Sequence, residues 1–133
     1  MEYTEFITHV QSLAQSESRE EAEVATRSTL EIIKQIIPSD EREELATEIP
    51  YELREYLCGS ETEPIQSFHL LEFIERISQK EKVAPTIAAI HVRAVFAVVQ
   101  NAVSPEKFRR FYDYFSHDYE ELFNISPKNQ ISA

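Results

Sequence analysis

The sequence predicts an all-α protein of about eight helices, built as two similar four-helix halves around one core. Three observations predict it. Apolar residues recur at helical spacing along most of the 133-residue chain. Serine, proline and acidic residues punctuate that pattern where helices start and stop. No segment alternates with period two between turn dipeptides, and the single Gly leaves little material for tight hairpins. Apolar residues make up 42% of the chain, enough to fill one domain's core.

The first helix is expected near residues 2–16, because Tyr3, Phe6, Ile7, Val10, Leu13 and Ala14 share one face. Ser18 and Glu21 form a capping-box pattern that starts the second. Its buried stripe is Ala22, Ala25, Thr29, Leu30, Ile33, Ile36 and Ile37, with Glu23, Glu31, Lys34 and Gln35 facing out. Pro38 stops it, since the residue before a proline avoids helical geometry. Ser39 or Asp40 caps a third helix running to about Ile49. Pro50 suits the first turn of a fourth, and Gly59 a left-handed cap after Cys58. Residues 59–66 read as a linker. The fifth helix shows Leu70, Phe73, Ile74 and Ile77 on one face. The sixth opens at Pro85 and runs to about Val103. It is apolar almost all round (Ile87, Ile90, Val92, Val95, Phe96, Val98, Val99), with only Arg93 and Gln100 on a thin polar strip. Such a helix is expected at the centre of the molecule. Ser104-Pro105 starts the seventh, and a short eighth lies near residues 118–124. The polar tail from Ser126 is expected to fray.

The two halves match. An offset of 67 puts Phe6 on Phe73 and Val10 on Ile77. After a one-residue slip an offset of 66 pairs Arg27 with Arg93, Leu30 with Phe96, Ile33 with Val99, Ile37 with Val103, Leu45 with Phe111, Ile49 with Phe115 and Leu57 with Phe123. One domain over residues 1–125 is expected, with repeats at 1–59 and 66–125 and a flexible tail at 126–133. About 60 residues form a marginal unit alone, so the halves should share a core.

Some of these residues also carry a family resemblance. They are Phe6-x3-Val10, Ala22-x2-Ala25-x-Arg27-x2-Leu30, Leu45-x3-Ile49-Pro50-x2-Leu53, and in the second half Phe73-x3-Ile77 and Arg93-Ala94-Val95-Phe96. The pattern resembles the domain of unknown function 2267 family, small bacterial all-helical proteins with an internal repeat. The resemblance implies the helical fold and brings no catalytic or binding residues with it. The family tends to start the last helix of each half with Leu-Pro. Here the first half has Ile49-Pro50 and the second Phe115-Ser116, a departure at the eighth helix.

Charge narrows the function classes. Acids outnumber bases 24 to 13, for a net charge of −11. Residues 1–60 hold 14 acids and 5 bases, and residues 61–133 hold 10 and 8. Such a chain is repelled by nucleic acids and by anionic membranes, so neither is an expected partner. A basic partner would be drawn to the first half. No apolar run approaches the roughly 20 residues that span a bilayer, and the start Met-Glu-Tyr-Thr-Glu lacks a secretory n-region. The lone Cys58 fits a reducing compartment, so a cytoplasmic location is expected. Gly-rich phosphate loops, EF-hands and nucleophile elbows are absent from the sequence, and no cofactor is expected.

Four groups of polar residues merit weighing. Arg27 and Arg93 occupy equivalent positions and suit either an anion site or structural ion pairs to Glu48, Glu52, Asp118 or Glu120. His91 sits on the apolar face of its helix, as a general acid–base group or as a core histidine donating to a carbonyl or carboxylate. His69 and Glu72 have i, i+3 spacing. That is too little for a ferritin-like metal site, and Glu72 equally reads as a capping residue. Residues 108–123 hold seven of the fourteen aromatics. Of these Phe108, Phe111, Phe115 and Phe123 fit a buried face. Tyr112 and Tyr114, with Arg109 and Arg110, read as an exposed aromatic-basic patch of the kind favoured at protein interfaces. The leading expectation is a non-enzymatic interaction or scaffold module that binds a protein partner or a second copy of itself. The alternative is a small-molecule or anion binder using Arg27 and Arg93 between the halves. A helical metalloenzyme or hydrolase comes last.

Overall fold

A computed structural model describes residues 1–59 and 67–124, with side chains as far as Leu122. Every regular element among them is helical. They are α1 (Tyr3–Ala14), α2 (Arg19–Ile33), α3 (Ser39–Ala46), a 3-10 turn η1 (Tyr51–Leu53), α4 (Arg54–Cys58), α5 (Leu70–Glu81), α6 (Pro85–Ala102), α7 (Pro105–Tyr112), a 3-10 turn η2 (His117–Glu120) and α8 (Glu121–Asn124). Most of the linker expected at 59–66, the tail and the side chain of Phe123 lie outside the described residues.

The element order repeats with the offsets read from the side chains. Both ends of α5 lie 67 residues after those of α1, and α3 and α7 are 66 apart at both ends. The backbone repeats too. Gln15 after α1 and Lys82 after α5 both take left-handed conformations, at φ 54° and φ 60°. These are equivalent positions, and neither is Gly. The structure thus has the two-half arrangement of the sequence reading.

The halves interlock. α6 packs on α5 within its own half, and on both α1 and α2 of the other. α2 likewise packs on α1 and on α5. α3 and α7 then meet each other outside this four-helix centre. Ala88, Val92, Ala94, Val95, Phe96, Val98 and Val99 bury the middle of α6. Burial on this scale contributes roughly 1.5–3 kcal/mol for each large side chain.

The composition of the core differs between halves. Phe73, Phe96, Phe111, Phe115 and Tyr119 form one aromatic cluster, with Phe96 to Phe115 at 5.5 Å and Phe115 to Tyr119 at 4.8 Å between ring centres. Their counterparts in the first half are Phe6, Leu30, Leu45, Ile49 and Leu53, mostly aliphatic, and all are buried. Tyr119 is fully buried and donates its hydroxyl to Phe68 O at 2.9 Å.

Several local expectations are corrected. α2 ends at Ile33, and hydrogen-bonded turns carry the chain to Ile37 before Pro38. Pro38 itself precedes α3 as its cap residue, in place of Ser39 or Asp40. Pro50 lies just before a 3-10 turn, so the segment becomes α-helical only at Arg54. Gly59 has φ +22° with an extended ψ of 174°, so it is no left-handed cap. A Cβ there would meet the mobile end of Lys34 at 2.7 Å and the Glu55 carbonyl oxygen at 3.2 Å, and it is the positive φ that favours Gly. Leu13 is exposed, because α1 buries the narrower stripe Phe6, Ile7, Val10. Ile87 and Ile90 are also exposed, so the uncovered strip of α6 takes in these two apolar residues beside Arg93 and Gln100, while Ala88 and His91 are already buried. The polar side of α2 does not simply face water. Glu23 accepts from the Tyr3 hydroxyl at 2.7 Å, Glu31 pairs with Lys80 at 3.1 Å, and Gln35 accepts from Arg76 at 3.5 Å.

Phe96 touches both halves of the argument for a shared core, through its rings in the second half and through α6's packing on the first. Phe96→Ala is expected to destabilise the fold by about 3–5 kcal/mol. Tyr119→Phe, which leaves Phe68 O buried without its donor, should cost about 1–2 kcal/mol. Urea unfolding of both variants checks the ranking.

Candidate functional site

The expected aromatic-basic patch divides into two. α7 begins with Ser104, whose hydroxyl accepts from Lys107 N at 3.3 Å, followed by Pro105 in the first turn. Phe108 and Phe111 then fall on the buried side. Arg110 points to α3, where its guanidinium lies 3.5 Å from Glu44 and 3.9 Å from Glu41. Lys107 reaches the same helix and the loop after it, at 3.5 Å from Glu44 and 3.3 Å from Glu48. Tyr114 is exposed, and Glu41 and Asp40 of α3 help burial raise its pKa. Arg110 and Tyr114 therefore belong to the α3–α7 seam.

Arg109 and Tyr112 lie on another side of α7. They line a cleft of about 610 Å³ with Gln100, Asn101, Phe108 and Glu120, between the end of α6, α7 and η2. Tyr112 is half-buried and its ring stacks on Phe108, 6.1 Å apart and 14° from parallel. Arg109 is exposed and has no ion-pair partner among the described residues. Its cation is thus available within a partly aromatic concavity.

Two carboxylates cap helices from a distance. Glu48 accepts from Ser104 N at 2.6 Å, holding the start of α7 from the other half. That backbone bond pulls the Glu48 pKa down, outweighing burial, with Lys107 adding to the effect. Asp118 accepts from Leu70 N at 2.9 Å, and also from the Ser116 hydroxyl. Burial works against the charged form of Asp118, but these donors and His69 leave its pKa lowered. Both arrangements place a negative charge at a helix start, where the dipole favours it.

Three of the four expected arginine partners are therefore engaged elsewhere. Glu48 serves α7, Asp118 serves α5, and Glu120 faces His117 at 3.3 Å. Arg27 is exposed, with its guanidinium 6.0 Å from the centre of the Tyr56 ring. Arg93 is half-buried, and its Nε has no hydrogen-bond partner among the described residues. The cleft beside α7 includes neither arginine. The expectation that Glu72 caps α5 is also overturned. His69 occupies the cap position, and Glu72 pairs with Arg76 at 3.0 Å.

His91 is buried, with Nδ1 2.6 Å from Glu81 and Nε2 3.3 Å from Glu21. The sequence reading named a carboxylate partner in kind and missed which ones, since Glu81 lies on α5 and Glu21 on α2. Cys58 is half-buried with its Sγ 3.7 Å from Arg42 O, and burial raises its pKa, the wrong direction for a nucleophile. Among the described residues no group of three or more His, Cys, Asp or Glu side chains converges on a metal position. A second cleft of about 650 Å³ runs past Glu2, Tyr3, Glu48 and Glu52, open and acidic. No single helix among the described residues is long and apolar enough to cross a membrane.

Fold and site together define an all-helical protein of two matched halves. The family model described as "Uncharacterized conserved protein (DUF2267)" matches residues 3–122, nearly the whole chain, and the protein belongs to that family. Comparison with curated proteins finds no match.

The two capping carboxylates give an acid-side prediction. Their folded pKa values lie below the ordinary carboxylate range of about 4. Their contribution is therefore present above that range and is lost as pH falls through the lowered values. Thermal melts between pH 5 and pH 3 should show a falling midpoint, and the double variant Glu48→Gln/Asp118→Asn should start lower and fall less steeply.

Proposed function

We propose that this protein is a non-enzymatic interaction module, with the Phe108–Arg109–Tyr112 cleft as its docking surface. One observation carries the reading. Of the three cations on α7, Lys107 and Arg110 are tied to the acids near α3, while Arg109 has no ion-pair partner among the described residues and lies beside two aromatic rings. Guanidinium offers a planar fork of donors that matches a carboxylate. Tyr and Arg next to apolar surface are the residues that carry binding energy at interfaces. The partner that fits is a protein segment with an apolar side chain for the Phe108–Tyr112 wall and an acidic one for Arg109.

A second reading keeps Arg93 as part of an anion site, because its buried Nε has no acceptor among the described residues. A thermal-shift screen of small carboxylates and phosphates tests it. A bound anion would raise the midpoint in the wild type and not in Arg93→Met.

The main reading is tested by native mass spectrometry of the protein purified gently from its own host. A protein partner retained by the wild type should bind the Arg109→Ala/Tyr112→Ala variant at least about tenfold more weakly. Arg110→Ala and Tyr114→Ala, on the α3 side, should bind it as the wild type does. Equal retention by every variant would remove the cleft from the proposal.

A further inference from the structure

Where α2 begins and α5 ends, both meet α6 through one buried side chain. His91 is 2% exposed, and so is the Glu81 side chain that faces its Nδ1 at 2.6 Å. Glu21, 40% exposed, faces Nε2 at 3.3 Å. A carboxylate therefore stands at each ring nitrogen. Neutral imidazole has one N–H, so one of its lone pairs would point at a carboxylate oxygen. Only the protonated ring donates to both. Glu81 Oε2 is buried without a hydrogen-bond partner among the described residues, so that carboxylate relies on the ring for compensation.

The other half shows what this corner looks like without charge. The positions equivalent to Glu21, His91 and Glu81 are Ile87, Ala25 and Ala14. Ala25 is fully buried, Ala14 partly, and Ile87 is partly exposed. The equivalent positions thus hold apolar residues in one place and three ionisable ones in the other. Packing alone does not call for the second version.

We propose that Glu21, His91 and Glu81 form a pH-operated clamp that holds the start of α2 and the end of α5 on α6 while His91 is protonated. Glu21 is the arm that releases, because it is open to water and already the more distant partner. Glu81 stays packed and becomes a buried, uncompensated charge. The charged groups acting on the ring are Glu81 from α5 and Glu21 from α2. Of the other helices packed on α6, α1 brings Phe6, Ile7 and Val10 as its buried face, α7 brings Phe108 and Phe111, and α8 brings Leu122. The Glu81 hydrogen bond raises the His91 pKa above its ordinary value, against burial, and both carboxylates reinforce it. A raised folded value means the stabilisation is complete below the unfolded imidazole value of about 6.5 and is lost as pH rises through the folded one.

The test combines imidazole nitrogen NMR on the full chain with thermal melts from pH 6 to pH 9. Both His91 nitrogens should be protonated at pH 6, and the melting midpoint should fall by roughly 3–8 °C over the range. Glu21→Ile/Glu81→Ala/His91→Ala copies the apolar corner and should lose most of that slope. His91→Ala alone, which strands Glu81, should be less stable than the triple variant. A neutral His91 ring at pH 6 overturns the proposal whatever the variants do, and so do equal slopes in wild type and triple variant.

Discussion

Neither half of this chain buries its apolar faces without the other. α1 lays its stripe of Phe6, Ile7 and Val10 against α2 and α6 together, and α5 lays Phe73 and Ile77 against α6 and α2. A four-helix centre made this way takes two helices from each half. The outer pieces then follow. α3 and α7 are brought together because the helices that precede them already touch, and each half's 3-10 turn closes over the core with Leu53 or Tyr119. Conformational entropy of roughly 1–2 kcal/mol per residue has to be offset by this one continuous core.

The uneven charge is used inside the molecule. The acidic first half and the less acidic second half meet at the α3–α7 seam. There Glu41, Glu44 and Glu48 find Lys107 and Arg110. A basic partner was expected for the first half, and part of that basic surface is the chain's own α7. Exposed pairs of this kind contribute little stability, about 0–1 kcal/mol each. Their larger effect is on register, since like charges would have faced each other in other arrangements of the two helices.

Helix positions were legible because apolar spacing and Ser/Pro punctuation are local signals. The match between halves was legible for the same reason, since equivalent residues keep their size class. What failed depended on tertiary contact. Tyr119 carries a hydroxyl and was not placed in the buried set, yet a backbone carbonyl 51 residues earlier lets it sit at the centre of the aromatic cluster. Ile87 and Ile90 looked as buried as Val95, yet they lie on the same strip of α6 as Arg93 and Gln100, which faces away from the core, while Ala88 between them is fully buried. The partners of Glu48 and Asp118 are backbone N–H groups at helix starts, which no side-chain pairing rule points to. Of the candidate sites, sequence named Arg109 and Tyr112 but joined them with Arg110 and Tyr114. The rotation of α7 on the core separates the two pairs, and a short helix leaves that rotation ambiguous in sequence.

The interlocked centre also bears on how the chain comes to be folded as it is made. α1 is synthesised first, but its packing surface includes α6, which ends at Ala102. α2 similarly awaits α5. A growing chain that has released only its first half therefore exposes one side of α1 and α2 to whatever surrounds it. The buried face of α1 is fully covered only when the eighteen residues of α6 are present. Contacts so distant in sequence slow folding relative to a simple up-and-down bundle. The first half carries 14 acids against 5 bases, a like charge that works against association between copies of that segment.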